Sequence, residues 1–282
     1  MISATEFVQL ISGGRGSAID RLRRDDTLIR TRAALTVRLA FVAADGGTGC
    51  SSAAGAVAGI LAARRPGPTL LVNADGEGAD ALHSAGMSSQ VQARLVVDAP
   101  LREQPTRLAE ALDGLPATET GLRGLDLARL TGRVAPADPV LWRESVGPIA
   151  RFLDVICTDF GRRSLTDAHH IAESSACTVV TARPDRMGLE RAGILVRSLH
   201  ERHRRVVLCV TDLARTANRG AIAELTAGLG DEVSVVAHEP ALAAPGRVRS
   251  LVDARSRRGR YRQGLIHLAA QLMAPATRGA AA

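Results

Sequence analysis

Residues 41–52, FVAADGGTGCSS, contain a loop of a kind that binds anions. Glycines at 46, 47 and 49 let the backbone turn so that successive N–H groups face inward at the start of a helix, and such a nest binds phosphate. Ser51 follows where a hydroxyl can ligate magnesium. Because glycine turns are common between strands and helices, the loop alone is a weak signal. It fits a nucleotide site, the remains of one, or an ordinary turn.

Two further segments place a carboxylate after an apolar run. Asp75 follows TLLVN (69–73) in a glycine-rich loop, where it can orient water or a hydrated metal ion. Asp159 ends the run DVICTD (154–159), where a carboxylate can hold magnesium through water. Taken singly, an Asp-Gly turn and a helix cap explain these aspartates equally well. In a parallel sheet, however, ligands bind at the carboxyl edge of the strands, and all three segments fall there.

Apolar runs alternate with helical patterns along most of the chain. Such alternation implies right-handed βαβ units. We therefore predict a three-layer α/β fold, with a mostly parallel sheet of about seven or eight strands flanked by helices. The predicted strands are 37–43, 69–73, 121–127, 151–159, 177–182, 205–211 and 232–237. The predicted helices are 3–11, 51–65, 101–113, 186–202, 218–228 and 260–273.

Composition divides the chain into three parts. Residues 1–36 are charged and weakly amphipathic, and we interpret them as an N-terminal extension, either a surface helix or a docking arm. Residues 37–274 are predicted to form one domain, and the Ala-rich residues 275–282 a disordered tail. The sequence predicts no membrane span and no signal peptide. The four cysteines lie too far apart for a zinc site or a disulfide framework, which favours buried thiols and a cytoplasmic location.

Arginine supplies all of the side-chain positive charge, since none of the 36 basic residues is lysine. No lysine is therefore available to contact a phosphate bound at the glycine loop. The net charge of +7 favours an acidic partner such as nucleic acid, an anionic membrane or an acidic protein, although a dispersed arginine surface explains it as well. Seven arginines between residues 247 and 262 can contact DNA phosphates or form a solvated helix face. An apolar stripe in the last helix favours packing on the core over membrane insertion; it consists of Leu265, Leu268, Ala269 and Leu272.

Taken together, in this order and at these distances, the three segments resemble the MinD/ParA group of P-loop ATPases over residues 37–273. That family's deviant Walker A loop, Lys-Gly-Gly-x-Gly-Lys-Thr/Ser, corresponds to residues 45–51, and its Walker B strand closes on Asp159. A later strand, which in the family often ends in Asn-Arg near the adenine, here carries Thr211 or Asp212 in place of the asparagine. The resemblance implies ATP or ADP with magnesium as ligands, Ser51 and Asp159 as metal ligands, and Asp75 as a vestigial catalytic residue. The implied nucleotide-binding residues are Gly46, Gly47, Thr48, Gly49, Cys50, Ser51 and Ser52.

Both lysines of the family's loop are replaced in this chain. Asp45 stands at the signature lysine, which in the family reaches across a dimer to the partner's nucleotide, and Cys50 stands at the ordinary Walker lysine. A charge-assisted hydrogen bond contributes roughly 1.5–3 kcal/mol, so the change at residue 50 alone is expected to weaken binding about 10- to 100-fold. Arg162 and Arg163 follow Asp159 and are the nearby cations that could in principle replace the missing lysines. We expect weak nucleotide binding and no efficient hydrolysis.

These departures predict a catalytically weak or inactive scaffold or regulator. Proteins of this family position cargo, partition DNA, or assist the assembly of pili and secretion machines. The Arg-, Ala- and Gly-rich composition resembles actinobacterial MinD-like proteins associated with type VII secretion. By this analogy we expect protein partners from such a machine, and also a homodimer. Two alternatives stay open: a working ATPase whose rewired site binds DNA or an anionic surface, and an α/β module that binds no nucleotide.

Overall fold

The computed structural model describes residues 19–76, 81–87, 105–128, 136–202, 205–212, 215, 218–237 and 259–278. Within these residues, seven strands form one sheet. The strands are β1 (Val37–Ala43), β2 (Thr69–Asn73), β3 (Arg123–Asp126), β4 (Val155–Arg162), β5 (Cys177–Ala182), β6 (Val206–Thr211) and β7 (Val233–Val236). They are parallel throughout and lie in the order β3-β2-β4-β1-β5-β6-β7.

Helices cover both faces of this sheet and make the fold three-layered. They are α1 (19–30), α2 (Cys50–Ala62), α3 (Ala81–Ser84), α4 (Leu108–Leu112), α5 (Pro139–Ala150), α6 (Leu165–Glu173), α7 (Arg186–His200), α8 (Arg219–Leu225), a 3-10 helix (Ala227–Glu232) and α9 (Gly259–Arg278). Helix α2 packs against α3 and α9, whereas α6 packs against α5 and α7. Because both faces are covered, the central strands β4, β1 and β5 are almost entirely buried.

The predicted α/β fold is confirmed, and β1, β2 and β5 have the predicted bounds. The strand predicted at 151–159 is wrong at both ends. Residues 151–154 lie outside the strand, where the Asp154 N–H donates to the Pro68 carbonyl, and β4 continues to Arg162 beside Ala43 of β1. Asp159 therefore lies within a strand and not at its end. Where the prediction gives a helix at 101–113, the described residues form a helix only over Leu108–Leu112.

The segments at the two ends of the chain pack against each other and against the sheet. Ile29 of α1 is fully buried in the core, and Asp25 lies 3.2 Å from His267 of α9. The stripe of four apolar residues in α9 is buried, as predicted. Helix α9 extends to Arg278 and so includes the first four residues of the predicted tail. The short helix predicted at 3–11 lies outside the described residues.

Candidate functional site

The glycine loop between β1 and α2 has the backbone geometry of an anion nest. Gly47 and Gly49 adopt φ of 67° and 75°, in the left-handed region that favours glycine. Gly49 caps the 13-residue helix α2 without a side-chain hydrogen bond. In the described part of the chain, the N–H groups of Gly47 and Gly49 have no hydrogen-bond partner. The positive end of the α2 dipole and these donors together favour an anion.

Cys50 opens α2 and makes its side-chain contact with the neighbouring strand β4. Its Sγ donates to Asp159 Oδ1 at 3.3 Å, and only 7% of the residue is exposed. Burial and the adjacent Asp159 carboxylate raise the pKa of this thiol well above its usual value. The thiol is therefore neutral, and it supplies neither the positive charge of a lysine nor a nucleophilic thiolate.

Asp159 is a completely buried carboxylate with one oxygen satisfied and one not. Oδ1 accepts hydrogen bonds from the Cys50 thiol and from the Gly161 N–H at 3.1 Å, whereas Oδ2 has no hydrogen-bond partner within the described ranges. Burial raises the pKa of Asp159 to about 6, opposed by a hydrogen bond from Ser51 and reinforced by the negative charge of Asp75. The group is thus a buried carboxylate with one oxygen unsatisfied among the described residues.

Asp75 lies beside this pair because Gly161 leaves room for it. Gly161 has a φ of 62°, and a Cβ at this position would overlap the Asp75 carboxylate. The negative charge of Asp75 acts on both Asp159 and Cys50. The three segments that the sequence places at one edge of the sheet therefore do meet in space.

Asp45 is held by a helix on the other side of the loop. One of its oxygens accepts from the Gly46 N–H at 2.8 Å, and the other forms an ion pair with Arg191 of α7. The hydrogen bond from Gly46 and the pairing with Arg191 lower the pKa of Asp45 below its usual value. The residue at the signature position is therefore ionised and paired within its own chain.

Threonines fix the middle of the loop to two further strands. The Thr48 hydroxyl lies 2.8 Å from the Thr181 hydroxyl of β5, and the Thr211 hydroxyl of β6 donates to the Thr48 carbonyl. Ser52, half-buried in the first turn of α2, completes the set of residues that the sequence predicts for this site. The loop is consequently tied to β4, β5, β6 and α7.

Arg163 is a half-buried cation whose charge interacts with Asp75 and Asp159. Its Nε and Nη2 donate to the carbonyls of Phe160 (2.7 Å) and Ala74 (2.9 Å). The charges of Asp75 and Asp159 act on the guanidinium, but these hydrogen bonds go to the backbone. Arg163 thus joins the ends of β2 and β4. Its neighbour Arg162 is exposed.

The residues fit the magnesium implied by the resemblance only in part. Asp159 Oδ2 is a buried oxygen that a cation or its water shell can satisfy, and Ser51 hydrogen-bonds to the same carboxylate. Cys50, however, places a sulfur atom 3.3 Å from Oδ1, and sulfur is a ligand for softer metals than magnesium. In the described residues no three His, Cys, Asp or Glu side chains are grouped closely enough to hold a metal ion.

Several contacts of the site have no signal in the sequence. Arg191 is 146 residues from Asp45, and Thr181 and Thr211 are 133 and 163 residues from Thr48. Gly161 makes room for the carboxylate of Asp75, which is 86 residues earlier in the chain, so this contact has no local signal either. The other partners can be recognised only in three dimensions.

A parallel sheet with a glycine loop at a helix N-terminus and aspartates at the same edge defines a P-loop-type α/β fold. A comparison with solved structures shows which proteins of this fold class the chain is similar to. The chain is similar to MinD in the MinC:MinD complex of Aquifex aeolicus, with 17% identity, coverage of 85% of this chain and 96% of that chain, and a TM-score of 0.60. It is also similar to MinD of Pyrococcus horikoshii OT3 with Mg-ADP, with 16% identity, coverage of 83% and 95%, and a TM-score of 0.56.

A third similar structure is a plasmid partition protein of Borrelia burgdorferi B31 bound to AMPPNP, with 15% identity, coverage of 83% and 98%, and a TM-score of 0.54. The chain therefore has the fold of the MinD and ParA ATPases. No protein-family model and no curated protein matches the sequence. Over the part of the chain that the structure describes, no helix is long and apolar enough to cross a membrane.

Proposed function

We propose that this protein is a MinD/ParA-fold scaffold or regulator that has lost efficient ATP hydrolysis. The charge of the glycine loop is the observation that carries the proposal. The Asp45 carboxylate and the neutral Cys50 thiol occupy the positions where the resemblance places two lysines. Asp45 is paired with Arg191, and Cys50 is hydrogen-bonded to Asp159. The loop itself thus offers no cation to the β- and γ-phosphates.

The positive charge missing at residues 45 and 50 is expected to matter more for phosphoryl transfer than for nucleotide binding. The protein's contribution to that reaction is almost entirely positioning and electrostatic stabilisation, and the loss of one donor lowers the rate roughly 10²–10³-fold. Binding also draws on the free N–H groups of Gly47 and Gly49 and on the helix dipole. We therefore expect ATP or ADP with magnesium to bind weakly, and turnover to be lost.

The contacts of Arg162 and Arg163 do not favour the alternative of a rewired ATPase. Arg163 directs its N–H groups to the carbonyls of Phe160 and Ala74, and Arg162 is exposed at the end of β4. Either would have to leave this arrangement to reach a phosphate in the loop. The contacts present support a structural role for Arg163, which holds two strand ends together.

The partners proposed for such a scaffold are proteins of an assembly, secretion or partition machine. The similar MinD of Aquifex aeolicus is in complex with MinC, which favours a protein partner. We also propose that the protein forms a homodimer. We further propose non-specific DNA binding through the arginine cluster at 247–262. Arg260 and Arg262 of this cluster are exposed on α9, and its other five arginines lie outside the described residues.

Magnesium-dependent ATP turnover tests the proposal. Purified protein is expected to release phosphate no faster than the Ser51→Ala/Asp159→Ala double variant, because the cations that stabilise the transition state are already absent in the wild type. The double variant is the matched control, since it removes the two implied metal ligands and keeps the loop. Turnover that is clearly faster in the wild type and abolished in the double variant would contradict the proposal.

A further inference from the structure

We propose that the Gly46 N–H and the Arg191 guanidinium form a subsite for a phosphate group of the nucleotide, and that the Asp45 carboxylate occupies this subsite when no ligand is bound. Asp45 is then an internal competitor of the ligand. The subsite rests on the proposed function, in which a nucleotide binds weakly at the glycine loop. Competition from Asp45 weakens binding separately from the loss of the lysine at position 50.

The Asp45 carboxylate bridges two donors that belong to different elements. Its Oδ1 accepts from the Gly46 N–H at 2.8 Å, and its Oδ2 accepts from Nη1 of Arg191 on α7. Carboxylates and phosphates both present oxygen pairs to guanidinium and N–H donors, and arginine binds the two groups with the same geometry. A phosphate at this position can therefore take over both hydrogen bonds of the Asp45 carboxylate.

The charge around the subsite favours an anion. The hydrogen bond from Gly46 and the positive charges of Arg191 and Arg183 lower the pKa of Asp45 below its usual value. The N-terminus of α2 adds the positive end of a helix dipole to the same loop. Surroundings that stabilise an ionised carboxylate also stabilise a phosphate group, which carries more negative charge.

The loop has open space beside this subsite. Gly46 and Gly47 are exposed, and a Cβ added at either residue would meet no atom of the described structure within 4 Å. The N–H groups of Gly47 and Gly49, which follow along the loop, have no hydrogen-bond partner among the described residues. A ligand with more than one phosphate can therefore bind the subsite and these free N–H groups together.

The ion pair between Asp45 and Arg191 is exposed enough to be displaced. The Arg191 side chain is 53% exposed and the Asp45 side chain is 23% exposed, and ion pairs in contact with solvent contribute little stability. After displacement, the Asp45 carboxylate remains next to Gly46 in the chain and repels the bound phosphate. Its negative charge therefore lowers affinity twice, by occupying the donors and by repelling the ligand that replaces it.

Calorimetric titration of Mg-ADP into the full-length protein tests this subsite. Asp45→Asn keeps an oxygen for the Gly46 N–H and removes the charge, so it is expected to bind about five- to tenfold more tightly than the wild type. The double variant Asp45→Asn/Arg191→Gln is expected to lose this gain, because the guanidinium that binds the phosphate is absent. Inorganic pyrophosphate is expected to show the same gain in Asp45→Asn, since the phosphates and not the nucleoside contact the subsite.

Glu190→Gln is the matched control, because it removes a negative charge beside Arg191 on α7 from an ion pair with Arg186 at 2.7 Å. Its affinity for Mg-ADP is expected to stay within about twofold of the wild type. A cooperative unfolding transition confirms that each variant is folded.

Four results would overturn the assignment of this subsite: no tighter binding by Asp45→Asn, a gain that persists in the double variant, an equal gain in Glu190→Gln, or no gain with pyrophosphate. None of these results involves turnover. The release of phosphate from ATP therefore still decides the proposed function when the subsite fails its own test.

Discussion

Replacing Asp159 with asparagine is expected to raise the free energy of unfolding by about 3 kcal/mol at pH 7. Burial raises the pKa of this carboxyl from 3.8 to about 6, so the folded state holds its ionised form at a cost. Each pKa unit corresponds to about 1.4 kcal/mol. Asparagine keeps an oxygen that accepts from Cys50 and Gly161 and removes the buried charge, which is the physical reason for the gain.

The sign of the pH dependence follows from the same shift. Because the folded state holds the Asp159 proton more tightly than the unfolded state, stability contributed by this group is present below about pH 4 and is lost as the pH rises to about 6. The advantage of Asp159→Asn is therefore expected to be small at pH 4 and to reach its full size above pH 6. Urea denaturation across this range, with a chelator present to remove bound cations, measures both quantities.

Asp20→Asn is a suitable control for this prediction, since Asp20 is an exposed aspartate in α1 whose ion pair with Arg23 is long, at 3.7 Å. Its effect is expected to stay within about 0.5 kcal/mol at every pH. If Asp159→Asn were no more stable than the wild type at pH 7, or if the difference were the same at pH 4, the description of Asp159 as a buried charge that lowers stability would be wrong.

Replacing Arg65 with alanine is expected to lower the free energy of unfolding by about 3–5 kcal/mol. The Arg65 side chain is fully buried, and its Nε and Nη2 donate to the two carboxylate oxygens of Asp154 at 2.7 and 3.0 Å. Its Nη1 donates to the carbonyls of Ile29 and Thr31. Alanine leaves these acceptors unpaired, and α1 loses its attachment to the start of β4.

Arg64→Ala provides the matched control, because it removes the adjacent arginine on the same turn. Arg64 pairs with Asp26 at 3.0 Å, and the Asp26 side chain is 40% exposed. Its loss is expected to cost no more than about 1 kcal/mol. The denaturant midpoints of the two variants measure the difference. Equal destabilisation by the two changes would show that Arg65 does not fix the N-terminal segment in place.

The sequence predicts the elements around the site better than the contacts within it. The bounds of β1, β2 and β5 follow from apolar runs that end at polar residues or turns. Helix α5 is missing from the prediction although Asp138 caps it and Pro139 starts it, because Pro148 inside the helix argues against a continuous one. Helix α6 is missing despite Ser164 and Asp167, a capping pair at its start.

In the site, too, some residues can be placed from the sequence, whereas the contacts between them cannot. Ser51, Asp75 and Asp159 can be placed at one edge of the sheet because strand polarity alone brings the ends of parallel strands together. The pairing of Asp45 with Arg191 depends on how α7 lies across the loop, and the contact of Cys50 with Asp159 depends on the register of α2 on β4. Neither is encoded by a local pattern, so both appear only in the folded chain.

A calorimetric titration of Mg-ATP into the wild type and into Cys50→Lys, with both shown to unfold cooperatively, tests the proposed loss of function most directly. In the wild type, the backbone anion nest of the glycine loop is kept and the missing cation at position 50 is expected to limit binding. The variant is therefore expected to bind Mg-ATP about 10- to 100-fold more tightly than the wild type. Equal affinities for the two proteins would contradict the claim that the loss of the lysine at position 50 disabled this site.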